Sequence, residues 1–287
     1  MKEHPSIWRH FFKTPFKLDW VEVNGVSTRI LDAGPKDAPA VVMLHGTAGS
    51  LENFCANYAE FARQFRVIGM DMLGCGWTDK PDHDYLIQDY ADHVVSVMDA
   101  LGIRKFSIVG VSLGSWVGAA IALAYRQRAQ KLIMVAPAGI VTDPDEERRY
   151  AEELRRRRGT AAAEPSWENV ARAMRELVLK PESLMDELIA VRLDIYRNPQ
   201  MKTAMPHLLA FARGDQALTL EQWCQLDLPI QVYAAVDAPN MFLRNAHDVA
   251  KTAPHVEVVE IKDCDHWAQY EQPEAFNAAS ISFLAKE

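Results

Sequence analysis

At 287 residues, with 49% hydrophobic and 24% charged side chains, the chain suits one large globular domain with a full core, and its composition argues against disorder. A formal net charge of −8 argues against nucleic acid as a partner, because a phosphate-binding face needs an excess of Lys and Arg. No stretch approaches the roughly 20 apolar residues of a membrane span, and Lys2, Glu3, His4, Arg9 and His10 interrupt any signal-peptide core, so a cytoplasmic location away from membranes is expected.

Residues 1–19 mix Trp8, Phe11, Phe12 and Phe16 with Arg9, Lys13 and Lys17, a segment that could cover a groove or a partner subunit. Trp20 to Val23, Asn24-Gly25 and Ser27 to Leu31 read as a hairpin, since Asn-Gly accommodates two positive φ angles. After the loop Gly34 to Ala40, the continuous apolar run Val41 to Leu44 predicts a buried parallel strand ending at His45-Gly46-Thr47-Ala48-Gly49-Ser50. Leu51 to Gln64 has helical spacing, and Phe65 to Met70 is a further strand leading to the glycine-punctuated loop Asp71 to Thr78. Asp89 to Leu101 is helical by the period of Val94, Val95, Val97, Met98 and Leu101. Phe106 to Val111 is β-branched and aromatic, and it runs into Gly110-Val111-Ser112-Leu113-Gly114 and then a small-residue helix through Gly118 to Leu123. Lys131 to Val135 is another strand, closing at Pro137-Ala138-Gly139.

This alternation predicts an α/β fold with a mostly parallel sheet and helices on both faces. It breaks over residues 140–223, which are charged, helix-prone and without a buried strand, as an inserted helical cap would be; 1–139 and 224–287 then form the core. Within that stretch Arg155 to Arg158 follows Glu152 and Glu153 and reads as intrahelical ion pairs on a solvated face. Strands at Ile230 to Ala235 and Val256 to Ile261, a helix over Met241 to Thr252 and a last helix over Pro273 to Lys286 complete the pattern. Cys55, Cys75, Cys224 and Cys264 are scattered, with no metal-ligand spacing, and read as free thiols.

A Gly-x-Ser-x-Gly between strand and helix has the form of a nucleophile elbow, in which a sharp turn exposes the serine hydroxyl. Serine chemistry also needs a base, an acid to orient it and donors for the oxyanion. His266, in the loop after the last strand, is the candidate base, and Asp237, at the end of the strand from Ile230, is the candidate acid. The order Ser112, Asp237, His266 is that of this class of triad. The oxyanion donors would be the backbone N–H groups of Leu113 and of Thr47, with Ala48 as the alternative to Thr47.

On these residues the chain resembles the α/β-hydrolases, and Asp265-His266-Trp267-Ala268-Gln269-Tyr270-Glu271 is similar to the end of the meta-cleavage-product hydrolases, which split carbon–carbon bonds in ring-fission products. The resemblance implies eight strands, a helical cap, no cofactor, a small-molecule substrate and frequently a homodimer. It also implies a cap arginine for the substrate carboxylate, Arg192 with Arg197 second, and a pocket wall at Trp267. The chain departs from that subfamily at Val111, Ser115 and Thr47-Ala48-Gly49. The expected activity is cofactor-independent hydrolysis of an ester, a lactone or a vinylogous diketone. The competing readings are a hydroxynitrile lyase, a cofactor-free haloperoxidase, or a ligand receptor built on the same fold.

Overall fold

The computed structural model describes residues 5–286. After the one-turn helix α1 (Trp8–Phe11), strands β1 (Phe16–Val23) and β2 (Val26–Ala33) form a hairpin. Its turn residues Asn24 and Gly25 have φ of 51° and 77°, as the mirror-image turn of a twisted ribbon needs. The aromatic-basic start lies against this chain's own helices. Phe11 packs on Phe16 and Tyr58, while Ser6 and Ile7 donate to the Glu187 carboxylate at 2.9 and 2.6 Å.

β3 (Ala40–Leu44) leads to a 3₁₀ turn (Leu51–Phe54) and the one-turn helix α2 (Tyr58–Phe61), where apolar spacing predicts one continuous helix. Tertiary bonds decide otherwise. Ser50 and Asn53 cap each other, and buried Asn57 donates to the Gln269 carbonyl and the Asn277 side chain, each at 2.9 Å. β4 (Arg66–Met70) and α3 (Ile87–Ala100) follow, the helix starting earlier than its apolar period suggests because the Asp89 carboxylate caps the Leu86 N–H at 2.8 Å. Then come β5 (Phe106–Val111), α4 (Leu113–Ala124) and β6 (Ala129–Val135).

Five helices separate β6 from the next strand: α5 (Pro144–Ala163), α6 (Trp167–Arg175), α7 (Asp186–Arg197), α8 (Pro199–Leu208) and α9 (Leu220–Cys224). The two ends of this stretch meet at Gly139, whose carbonyl accepts from the Leu218 N–H (3.0 Å) and the Trp223 indole (3.2 Å). β7 (Ile230–Ala235), α10 (Met241–Thr252), β8 (Val256–Ile261), α11 (Ala268–Glu271) and α12 (Pro273–Ala285) complete the chain.

The eight strands form one sheet in the order β1-β2-β4-β3-β5-β6-β7-β8. β1 and β2 pair antiparallel, as do β2 and β4, and every other pairing is parallel. β3 and β5 are buried along their whole length, which is why their sequences are unbroken apolar runs. α4 lies close on this sheet because Gly118 has no Cβ; one there would stand 2.7 Å from Leu132 Cδ1. Among the described residues no helix is long and apolar enough to cross a membrane.

Candidate active site

The apolar pull of β5 on one side and of α4 on the other leaves a single residue to make the turn between them. Ser112 makes it at φ 55° and ψ −116°, a conformation that L-residues with a side chain hold only under constraint. The flanking glycines are sterically required. A Cβ on Gly110 would overlap the Gly114 carbonyl, and one on Gly114 would overlap the carbonyl of Leu44 at the end of β3. Ser115 adds a tie that its departure from the subfamily pattern did not suggest. Its hydroxyl donates to the Ser112 carbonyl at 2.6 Å and accepts from the Ala138 N–H at 3.2 Å, binding the turn to the end of β6.

The loop after β3 passes beside the elbow, and a Cβ on Gly46 would come within 3.3 Å of Ser112 Cβ. His45 shapes this loop without titrating. Its Nε2 accepts from the Met72 N–H (3.1 Å), so Nδ1 carries the proton shared with the Gly46 carbonyl (2.7 Å); burial holds its pKa down at about 3. Thr47 lines the cavity over Ser112, and Leu113 opens α4, so its N–H is one of the four that a helix cannot satisfy internally.

Beneath the loop lies a buried ionic knot. Arg29 Nε reaches Asp71 at 2.7 Å and Arg29 Nη2 reaches Glu52 at 2.9 Å, while the Asp71 carboxylate also accepts from the Leu51 and Trp77 N–H groups, both at 2.8 Å.

His266 and Trp267 stand on the loop between β8 and α11, and that loop is stitched to the helical stretch. The Trp267 N–H donates to the Leu177 carbonyl (3.1 Å), and the Tyr270 hydroxyl donates to the Ser183 carbonyl (2.8 Å). The Glu271 carboxylate gathers the N–H groups of Leu179 (2.9 Å), Lys180 (3.2 Å) and Asp265 (2.9 Å). Tyr270 and Glu271, which close the Asp265–Glu271 motif, are thus positioning residues.

Gly46, Thr47, Ser112, Arg192, His266 and Trp267 line one narrow cavity of about 20 Å³. It is not the roomiest hollow on the molecule, but it is the one at the C-terminal ends of the parallel strands that holds the strained serine and an imidazole together. The imidazole is buried and packs edge-on against Phe242 at 4.3 Å between centroids. Burial first, and then the charge of Arg158, lower its pKa to about 3.

The expected acid does not reach it. Asp237 is exposed at the end of β7, its Oδ2 accepts from the Asp263 N–H at 2.8 Å, and no hydrogen bond joins any described carboxylate to the imidazole. The physical reason lies in the turn after β7. Asn240 caps α10 by accepting from the Phe242 N–H (2.9 Å) and donates to Asp265 (2.8 Å), which sets the Phe242 ring against His266.

Of the two candidate arginines, Arg197 is exposed with Asp194 at 4.0 Å, whereas Arg192 is 2% exposed and lines the cavity. Its Nη2 donates to Asn53 (3.3 Å), its guanidinium sits 5.8 Å over the Tyr196 ring, and its Nε has no partner among the described residues. Burial lowers its pKa. The basic run on α5 also differs from the expected solvated face. Arg157 pairs with Glu153 at 2.6 Å, but Arg158 turns inward, 6% exposed, onto the same cavity. The signal for it was present in the spacing, because Tyr150, Leu154, Arg158 and Ala161 recur at one helical face. Among the described residues no three His, Cys, Asp or Glu side chains converge as a metal site.

Comparison with known proteins shows the family and the fold. The family described as alpha/beta hydrolase fold matches residues 39–273. A 2-hydroxy-6-oxononadienedioate/2-hydroxy-6-oxononatrienedioate hydrolase of Comamonas testosteroni is 30% identical over 88% of this chain and 90% of its own. A 2-hydroxy-6-oxo-6-phenylhexa-2,4-dienoate hydrolase of Burkholderia cepacia is likewise 30% identical, with the same coverage. In fold, the solved 2-hydroxy-6-oxo-6-phenylhexa-2,4-dienoate hydrolase of Rhodococcus sp. strain RHA1 superposes with a TM-score of 0.81 at 21% identity, over 95% of this chain and all of the other.

Proposed function

The chain belongs to the α/β-hydrolase fold family and is a hydrolase, and from that premise we propose that it cleaves the carbon–carbon bond next to the 6-oxo group of 2-hydroxy-6-oxo-dienoates, using Ser112 and His266 beneath a cap formed by residues 140–223. One observation carries this reading: a buried guanidinium, Arg192, shares the cavity with the strained serine and has no carboxylate partner. A neutral ester or lactone gives that cation no charge to pair with. A dienoate brings a carboxylate for it, and the two curated relatives named above act on that class.

That Ser112 and His266 line one cavity, with no hydrogen bond between them in this structure, supports the following chemistry. His266 takes the Ser112 proton as Oγ attacks the 6-oxo carbon, and the Leu113 and Thr47 N–H groups receive the oxyanion. The tetrahedral centre collapses with scission of its bond to the dienoate carbon. For this the substrate reacts as its 2-oxo tautomer, the 2-hydroxyl proton having moved to the carbon next to the 6-oxo group. That saturated carbon leaves with the electron pair, which passes through the remaining alkene onto the 2-oxo oxygen beside the carboxylate held by Arg192, and that oxygen takes up the proton from His266. Water then hydrolyses the acyl-serine, with His266 again as base. Trp267 walls the cavity.

An imidazole with a pKa near 3 is a weak base, and a negative charge nearby is needed for it to hold the proton. Asp237 is the proposed acid, supported by its place at the end of β7 and its existing bond to Asp263, three residues before His266. To act, it exchanges the Asp263 N–H for the imidazole, which requires the turn after β7 and the Phe242 ring to move aside.

The test is turnover of 2-hydroxy-6-oxo-6-phenylhexa-2,4-dienoate, followed by loss of its visible absorbance. Ser112→Ala and His266→Ala are expected to lower kcat by on the order of 10³ or more, and Asp237→Asn by about 10³ to 10⁴. Full activity of Ser112→Ala would overturn the mechanism, while a loss below tenfold at Asp237→Asn would remove that residue from it.

A further inference from the structure

Arg158 points from the middle of α5 into the cavity with its Nη1 fully buried and unpartnered, and no described carboxylate pairs with it. Its neighbours in the basic run are all engaged: Arg155 donates to the Ala212 carbonyl at 2.5 Å, Arg156 pairs with Glu153, and Arg157 pairs with both Glu153 and Glu176. A buried charge without a partner is costly to the fold, and an enzyme retains one where a ligand supplies the counter-charge.

The two guanidiniums also face different parts of the site. Arg192 stands on the side of the oxyanion loop, bonded to Asn53 and over Tyr196. Arg158 stands on the imidazole side, where its cavity wall is shared with Tyr150, Leu154 and His266 and continues into a second hollow reaching Asn240 and Phe242. One carboxylate on Arg192 leaves Arg158 uncompensated.

We propose that Arg158 is a second anion-binding residue and that the substrate is a dicarboxylate, with one carboxylate on Arg192 and the other, beyond the bond that breaks, on Arg158. The inference deepens the ring-fission reading and rests on it for the identity of the substrate. It has a chemical consequence as well. A carboxylate seated on Arg158 cancels the cation that opposes proton uptake by His266.

The experiment has a binding arm and a kinetic arm. In calorimetry, nonanedioate is expected to bind the wild-type protein at least tenfold more tightly than nonanoate, and Arg158→Gln to reduce that preference to within threefold. Arg158→Lys, which keeps the charge, retains part of the preference. In kinetics, Arg158→Gln is expected to lower the ratio of kcat/KM for a nine-carbon 6-oxo-dienedioate over its monocarboxylate counterpart by at least tenfold, whereas Arg192→Gln lowers both values and leaves their ratio within threefold. The thermal midpoint of ligand-free Arg158→Gln does not fall, since an uncompensated buried cation has been removed. Equal binding of the two probes by wild type, or an unchanged preference in Arg158→Gln, overturns the second anion site. Absence of any dienoate hydrolysis with the binding preference intact overturns the ring-fission reading and leaves the anion site standing.

Discussion

Ser112 is held by its neighbours rather than by its own propensity. Its positive φ persists because Gly110, Gly114 and the carbonyls of Leu44 and Gly114 leave the chain no other path, and because the Ser115 hydroxyl fastens the turn to Ala138. Removing that hydroxyl leaves the Ala138 N–H without its acceptor, at a typical cost of about 1–2 kcal/mol. Ser115→Ala is therefore expected to lower stability by that amount in urea titrations and to reduce kcat modestly, because the elbow loses its tie to β6; a variant as stable and as active as wild type would show that the tie carries neither. The elbow itself was legible, since Gly-x-Ser-x-Gly after an apolar strand has a steric reason at each fixed position. The role of Ser115 was not, because its acceptor and donor are set by where β6 ends in space.

The segments that carry the site stay in register because β2, the 3₁₀ turn and the loop 71–78 converge on one buried charge cluster. Arg29, Asp71 and Glu52 are each under 10% exposed, and the Asp71 carboxylate anchors two further backbone N–H groups. Gly76 belongs to the same device, since a Cβ there would overlap the Asp71 carboxyl group. Breaking one partner of a buried pair costs about 3–5 kcal/mol, more than the pair contributes over an apolar replacement, because the other charge is left alone. Asp71→Asn is expected to destabilise the protein by about that much, with activity falling at temperatures below the unfolding transition as the loop that presents Thr47 loosens; denaturant midpoints with wild-type slope would measure it. Periodicity read the long elements correctly, while Leu51 to Gln64 shows its limit. Apolar spacing there is helical, but Asn57 bonds across the core to Gln269 and Asn277, and these long-range bonds replace helical ones.

At the scale of the molecule, three of the described histidines are buried in neutral form: His45 and His266 with pKa near 3 and His93 near 4, each displaced first by burial. In the unfolded chain each titrates near 6.5. Between that value and their native values the unfolded state binds protons that the native state does not, so stability is intact above pH 6.5 and falls as the pH drops through the window to about 4 and then 3. Each histidine contributes a slope of roughly 1.4 kcal/mol per pH unit there. Urea midpoints measured from pH 7 to pH 4.5 should fall accordingly, and His93→Gln, which removes one of the three protons, should flatten the decline; a pH-independent midpoint would mean that the histidines are not protonated on unfolding. By itself the sequence determined the alternating α/β fold and the elbow, and it carried the family resemblance that implied eight strands. Apolar runs, glycine positions and turn residues act over a few neighbours, so their consequences are written locally. Only the tertiary structure decided that Arg158 turns inward while Arg197 stays in water, and that Asp237 faces the solvent while Phe242 packs on His266. Those outcomes depend on how the helices between β6 and β7 settle over the ends of the strands, and burial of charge is a property of that assembled space, not of any stretch of chain.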